Sequence, residues 1–144
     1  MKAKINHVAI LLPELDEGTH FWVDALGLTL EKTEEVPEQQ VKIAFLPVGD
    51  SHIELVAPTD ESSGVARYLQ KKGPGLHHIC LEVDDIAAAI ARLKKGGIPL
   101  IDEKPQTAAD GKKLAFIHPK GTGGVLVELY QLPQSGELEA NRGS

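Results

Sequence analysis

Only one cysteine, Cys80, occurs in 144 residues, so no internal disulfide can form and a reducing compartment, the cytoplasm, is expected. Long apolar runs are missing too. The longest, Ile86–Ala91, has six residues, against the ~20 that a membrane-spanning helix needs. The N-terminus carries no apolar core followed by a small-residue cleavage site, so a secretory leader is not expected. Dense basic runs are also absent. With 15 Lys and Arg against 21 Asp and Glu the formal net charge is −6, which argues against nucleic acid and anionic membranes as partners. A small anionic ligand stays open, because it needs only a local positive pocket. What is present is ordinary for a soluble domain, with 42% hydrophobic and 25% charged residues. A chain of this length buries most of a single core without help from disulfides or a structural metal.

The order of elements follows from periodicity and punctuation. Residues 5–12 read as a strand with His7 in its middle, ended by Pro13. Glu14, Asp16 and Glu17 then place negative charge where a helix N-terminus favours it, and Leu15–Leu26 reads as a helix stopped at Gly27. Strands are expected over Leu28–Lys32, Val41–Pro47 and His52–Val56, with a polar loop around Glu34–Gln40 and a Gly49-Asp50 turn. Ser62 or Ser63 caps a short helix that ends near Gly73. The pattern then restarts. Leu76–Val83 reads as a strand with His78 near its start, followed by a helix from Asp84-Asp85 to Gly96-Gly97. Strands over Ile98–Ile101, Leu114–His118 and Val125–Tyr130 complete it, and 135–144 reads as a polar tail.

Setting His7 over His78, a displacement of 71, aligns INHVAILL with LHHICLEV. Phe45 and Phe116 again differ by 71, and HIELV lies on LVELY with Glu54 over Glu128. Each half reads strand, helix, strand, strand, strand. The expected organisation is one domain over 1–134, with modules of about 1–73 and 74–134.

The repeat singles out four polar positions inside apolar strands: His7, Glu54, His78 and Glu128. Burying a carboxylate is costly unless it is paired or binds a metal. A pseudo-twofold axis would bring the four together as a mixed nitrogen and oxygen set, suited to an octahedral divalent ion such as Co²⁺, Mn²⁺, Ni²⁺ or Zn²⁺. Two coordination positions would stay open for a substrate, which marks a catalytic rather than a structural metal. Each residue alone has a plainer reading. A strand histidine is ordinarily a hydrogen-bonded core residue, and a glutamate in an amphipathic strand ordinarily faces water. Of the other histidines, His77 faces away from His78, His52 has a leucine (Leu126) as its counterpart, and His20 and His118 have no symmetric partner among the four.

These modules, with INHVAI, the PEQ of Pro37–Gln39, GLHHICLEVDDI at Gly75–Ile86, FIHPK at Phe116–Lys120 and GGVLVEL at Gly123–Leu129, resemble the vicinal oxygen chelate superfamily. Within it they are most similar to the methylmalonyl-CoA epimerase family, over roughly residues 4 to 133. The resemblance implies an α+β fold of two paired βαβββ modules in an eight-stranded curved mixed sheet. It implies a divalent cofactor, typically Co²⁺ with Mn²⁺, Ni²⁺, Zn²⁺ or Mg²⁺ as substitutes, held by His7, Glu54, His78 and Glu128. Some members carry Gln at the Glu54 position. The implied reaction is proton exchange at C2 of methylmalonyl-CoA, with Glu128 as one acid/base, an acyl-CoA as substrate and a homodimer as the assembly. At the position where some members place the second acid/base stands Ile43, which leaves Lys42, Glu38 or a water. Lys112, Lys113 and Lys120 offer positive potential to the phosphates of CoA, or are an ordinary solvated loop. Alternatives are a glyoxalase-type isomerase, an extradiol-type dioxygenase, against which a fourth ligand at Glu54 argues, and a non-catalytic small-molecule binder.

Overall fold

The computed structural model describes residues 1–133; the polar tail expected over 135–144 lies outside the described residues. The strands are β1 (Ala3–Leu11), β2 (Lys32–Val36), β3 (Val41–Val48), β4 (Ser51–Pro58), β5 (Gly75–Val83), β6 (Gln106–Thr107), β7 (Lys113–Ile117) and β8 (Leu126–Gln131). They form an eight-stranded mixed sheet in the order β2-β3-β4-β1-β5-β8-β7-β6, so the fold class is α+β as expected. The helices are α1 (Leu15–Thr19), α2 (Gly64–Lys72) and α3 (Ile86–Lys95). Two compact units result. The N-unit is His7–His77, and the C-unit is Met1–Asn6 with the described residues from His78 onward.

In the N-unit, β1 runs parallel to β4, with Ala9 opposite Glu54, and β4 runs antiparallel to β3, with Phe45 opposite Glu54. Side chains alternate across a strand, which sends its apolar residues to two faces. Ala44, Leu46 and Leu55 are fully buried on one face, with Leu15, Trp22 and Val23 of the first helical segment packed on them. Leu11, Val41 and Val56 are buried on the other, under Val65, Tyr68 and Leu69 of α2. Each large apolar side chain removed from water in this way contributes about 1.5–3 kcal/mol. The α2 helix starts as the sequence indicates. The Ser63 hydroxyl accepts the Ala66 N–H at 2.9 Å, and Lys71 and Lys72 close its last turn against the negative end of the dipole.

In the C-unit, β5 runs parallel to β8, with Cys80 opposite Glu128, and β8 runs antiparallel to β7, with Phe116 opposite Glu128. One core lies on the α3 face: Val83, Ile86, Ala89, Ile90, Ala115, Ile117 and Leu129. The Asp85 carboxylate caps α3 on the Ala88 N–H at 3.0 Å. His78, Cys80, Phe116 and Glu128 alternate with those core residues, so they share the opposite face.

Three expectations change. The strand read over 28–32 begins at Lys32 instead and runs through charged residues as an exposed edge strand, a composition that discourages pairing with another chain. Ile98–Ile101 makes only one bridge, Leu100 to Ile117, and the two-residue β6 takes the edge. The helix over 15–26 is α-helical only to Thr19 and π-helical over His20–Ala25, where the Leu26 N–H reaches back five residues to the Phe21 carbonyl. The wider turn leaves Trp22 in the core and Phe21 and Leu26 about half exposed.

Candidate functional site

The four repeated polar residues form one imidazole–carboxylate pair in each unit. In the N-unit, His7 Nδ1 lies 3.0 Å from Glu54 Oε2, and His7 is buried. In the C-unit, His78 Nε2 lies 3.1 Å from Glu128 Oε1, and Glu128 is only 5% exposed. The local cause is the same in both. A histidine at the middle or start of one strand and a glutamate on its parallel neighbour point to the same face, and an antiparallel third strand sets a phenylalanine beside the glutamate.

The chemistry of these donors fits a divalent ion. Each pair offers an imidazole nitrogen and a carboxylate oxygen already side by side, and no buried polar side-chain atom among the described residues lacks a partner. Nitrogen and oxygen donors of this kind suit first-row divalent metals. In the sequence Cys80 bears only on the redox compartment. The structure buries it completely beside Glu128, with Sγ and a Glu128 oxygen within 4.8 Å of each other. Only the strand register shows that neighbourhood.

The other histidines have separate structural partners. His20 is exposed and 3.7 Å from Asp24. His77 packs edge-to-face on Tyr68 at 4.8 Å. His118 caps a short 3-10 turn by accepting the Lys120 N–H at 3.1 Å. His52 Nε2 is 3.5 Å from Glu31 and its ring meets Phe45 at 6.4 Å. A 460 Å³ cleft in the N-unit is lined by Glu38, Gln40, Ser62, Arg67, Tyr68 and His77, none of them among the four. Beside it the Asp60 carboxyl is held below its ordinary pKa, first by the Ser62 hydroxyl and then by the Ser62 N–H.

The remaining acid/base candidates are also placed. Ile43 packs in the apolar cluster under α2, opposite Val56. Lys42 is exposed and points to the other face by alternation, and Glu38 lines the cleft. Lys112 lies over the Tyr130 ring, 4.4 Å from its centroid, and 4.0 Å from Asp110.

The family model described as Glyoxalase/Bleomycin resistance protein/Dioxygenase superfamily matches residues 6–116. The chain belongs to this superfamily. Enzymes of the glyoxalase superfamily bind a divalent metal ion. The chain is 43% identical over 129 residues to the mitochondrial methylmalonyl-CoA epimerase of Homo sapiens, covering 89% of this chain and 73% of that one. It is 38% identical over 134 residues to the ethylmalonyl-CoA/methylmalonyl-CoA epimerase of Cereibacter sphaeroides, covering 92% and 100%. Among solved structures, a methylmalonyl-CoA epimerase in complex with methylmalonyl-CoA and NH4+ superimposes with a TM-score of 0.78 at 32% identity, covering 92% of this chain and 96% of that one. No helix among the described residues is long and apolar enough to cross a membrane.

Proposed function

We infer that this chain is an epimerase that interconverts (2R)- and (2S)-methylmalonyl-CoA by moving the proton on C2. The observation that carries the reading is its likeness to epimerases of that name over almost the whole of both chains, with an imidazole–carboxylate pair in each unit of which one member is buried. His7, Glu54, His78 and Glu128 would hold one divalent ion, of which Co²⁺ is the expected choice. When bound, such an ion supplies Lewis acidity toward the thioester oxygen.

C2 lies between a thioester and a carboxylate, so its proton leaves as the C–H electron pair moves into the C2–C1 bond and charge builds on the thioester oxygen. Glu128 takes that proton. Its burial beside His78 and Cys80 keeps the carboxylate away from bulk water, and one of its two oxygens suffices for the pair with His78. Return of a proton to the opposite face inverts the centre. Ile43 carries no proton, so the second face is served by water or by another residue of the chain. A homodimer and a cytoplasmic location complete the proposal.

The test is isotope exchange. Protein loaded with Co²⁺, Mn²⁺, Ni²⁺ or Zn²⁺ is incubated with methylmalonyl-CoA in D₂O, and deuterium is expected at C2 with at least one of them. No exchange with any ion refutes the epimerase. Isomerisation of the methylglyoxal–glutathione adduct in its place would support the glyoxalase reading.

A further inference from the structure

Glu128 and His78 depend for their orientation on the residues packed around them. The β6 strand spans only Gln106–Thr107 and pairs with Leu114 and Lys113, so Phe116 on β7 has no neighbouring strand on its outer side. Asp102 takes that place. Its Oδ2 accepts the Phe116 N–H at 2.8 Å, and its own N–H, with that of Ile101, donates to the Phe116 carbonyl at 3.2 and 3.0 Å. Its Oδ1 accepts from the Gln106 side chain at 2.8 Å, which ties the β6 loop to the same carboxylate.

The consequence reaches the site through strand geometry. Both backbone groups of Phe116 point outward to Asp102 and Ile101, so Phe116 and Glu128 form a non-hydrogen-bonded cross-strand pair, the kind in which side chains come closest. The Phe116 ring also meets the His78 imidazole edge-to-face at 5.7 Å. A single phenylalanine thus touches the surroundings of both members of the C-unit pair, and one carboxylate fixes its backbone.

The N-unit repeats half of the device. Glu31 stands 71 residues before Asp102, the spacing that also separates Phe45 from Phe116. Its N–H donates to the Phe45 carbonyl at 2.9 Å, but its carboxylate lies 3.5 Å from His52 Nε2 instead. The carboxylate clamp on the backbone N–H belongs to the C-unit, where Glu128 sits.

We propose that Asp102 is a positioning residue: acting through Phe116, it sets the orientation of His78 and Glu128 for proton transfer. The proposal rests on the epimerase reading for its kinetic consequence, but its structural core is testable without it. In metal-free protein the ring signals of His78, identified by their loss in His78→Gln, are read by NMR in the native chain, Asp102→Ala, Phe116→Ala and the double variant. Asp102→Ala and Phe116→Ala should each shift them while His20 stays in place, and the double variant should match Phe116→Ala alone, because the proposed route runs through the Phe116 ring. In the deuterium-exchange assay Asp102→Ala should lose about tenfold or more in kcat with little change in KM. Asp102→Asn, which keeps one carbonyl acceptor, should recover part of that loss. Unchanged His78 signals in a folded Asp102→Ala, an Asp102→Asn that recovers none of the loss, or additive effects in the double variant would overturn the proposal. Native protein that exchanges no deuterium refutes the epimerase reading instead, and leaves the NMR comparison to decide the role of Asp102.

Discussion

The two units use the same strand grammar with different fillings, and the differences set the two glutamates apart. Each has a histidine on one strand, a glutamate on its parallel neighbour and a phenylalanine opposite that glutamate. In the N-unit Ala9 stands beside Glu54, and α2 packs its apolar residues over the same face at the Leu11 and Val56 end. In the C-unit Cys80 stands beside Glu128, Asp102 clamps the phenylalanine, and an apolar core lies on the α3 face. Glu54 keeps 15% of its side chain exposed and Glu128 only 7%. A buried carboxylate held by a fixed neighbour suits proton transfer, and a more exposed one suits holding an ion alone.

The largest expected contrast is between those glutamates. Glu128→Gln should lower the exchange rate by roughly 10²–10⁴-fold. Glu54→Gln keeps an oxygen donor, and some relatives carry Gln there, so it should cost about tenfold or less. Equal losses in a side-by-side assay would remove the distinction between the units. A stability contrast comes next. A Cβ on Gly18, itself buried, would lie 2.4 Å from Leu12 Cδ1 and 2.8 Å from Cδ1 of the fully buried Leu55. On Gly121 it would meet Ile98 Cγ2 at 2.6 Å and Pro99 Cδ at 3.1 Å, in half-buried surroundings. Gly18→Ala should therefore destabilise by about 1–3 kcal/mol, more than Gly121→Ala, as read by denaturant melts of both.

The smallest effect concerns the N-unit rim. The folded chain holds the Asp60 carboxyl below its ordinary pKa through Ser62. That contribution is present above the unfolded carboxyl pKa and is lost as pH falls through the lowered folded value. Asp60→Asn should be slightly less stable than the native chain near neutrality, with the gap closing in strong acid. A gap independent of pH would mean that the carboxylate charge is irrelevant.

Much of this was legible in the sequence because apolar alternation marks strands that are buried on a face. The expected strands Val41–Pro47 and Leu76–Val83 fall within the observed Val41–Val48 and Gly75–Val83 for that reason, and the four polar residues stand out because they interrupt such strands at matched positions. Lys32–Val36 was missed because an exposed edge strand is held by backbone pairing to β3, which leaves no apolar signature. Phe21 and Leu26 fit an α-helical stripe on paper, and the π-helical turn rotates them outward. Cys80 and Asp102 were invisible as site neighbours for another reason. Their roles depend on register and on a strand that stops short, and neither is written in local spacing.

The proposed sharing of one ion by the two pairs is tested by the stoichiometry of Co²⁺ binding, followed by calorimetry and by visible absorption. The native chain should bind one Co²⁺ per polypeptide, and His7→Ala and His78→Ala should each abolish that binding while their melting behaviour shows a folded chain. Two ions per chain, or a single ion retained when one of the two histidines is removed, would contradict it.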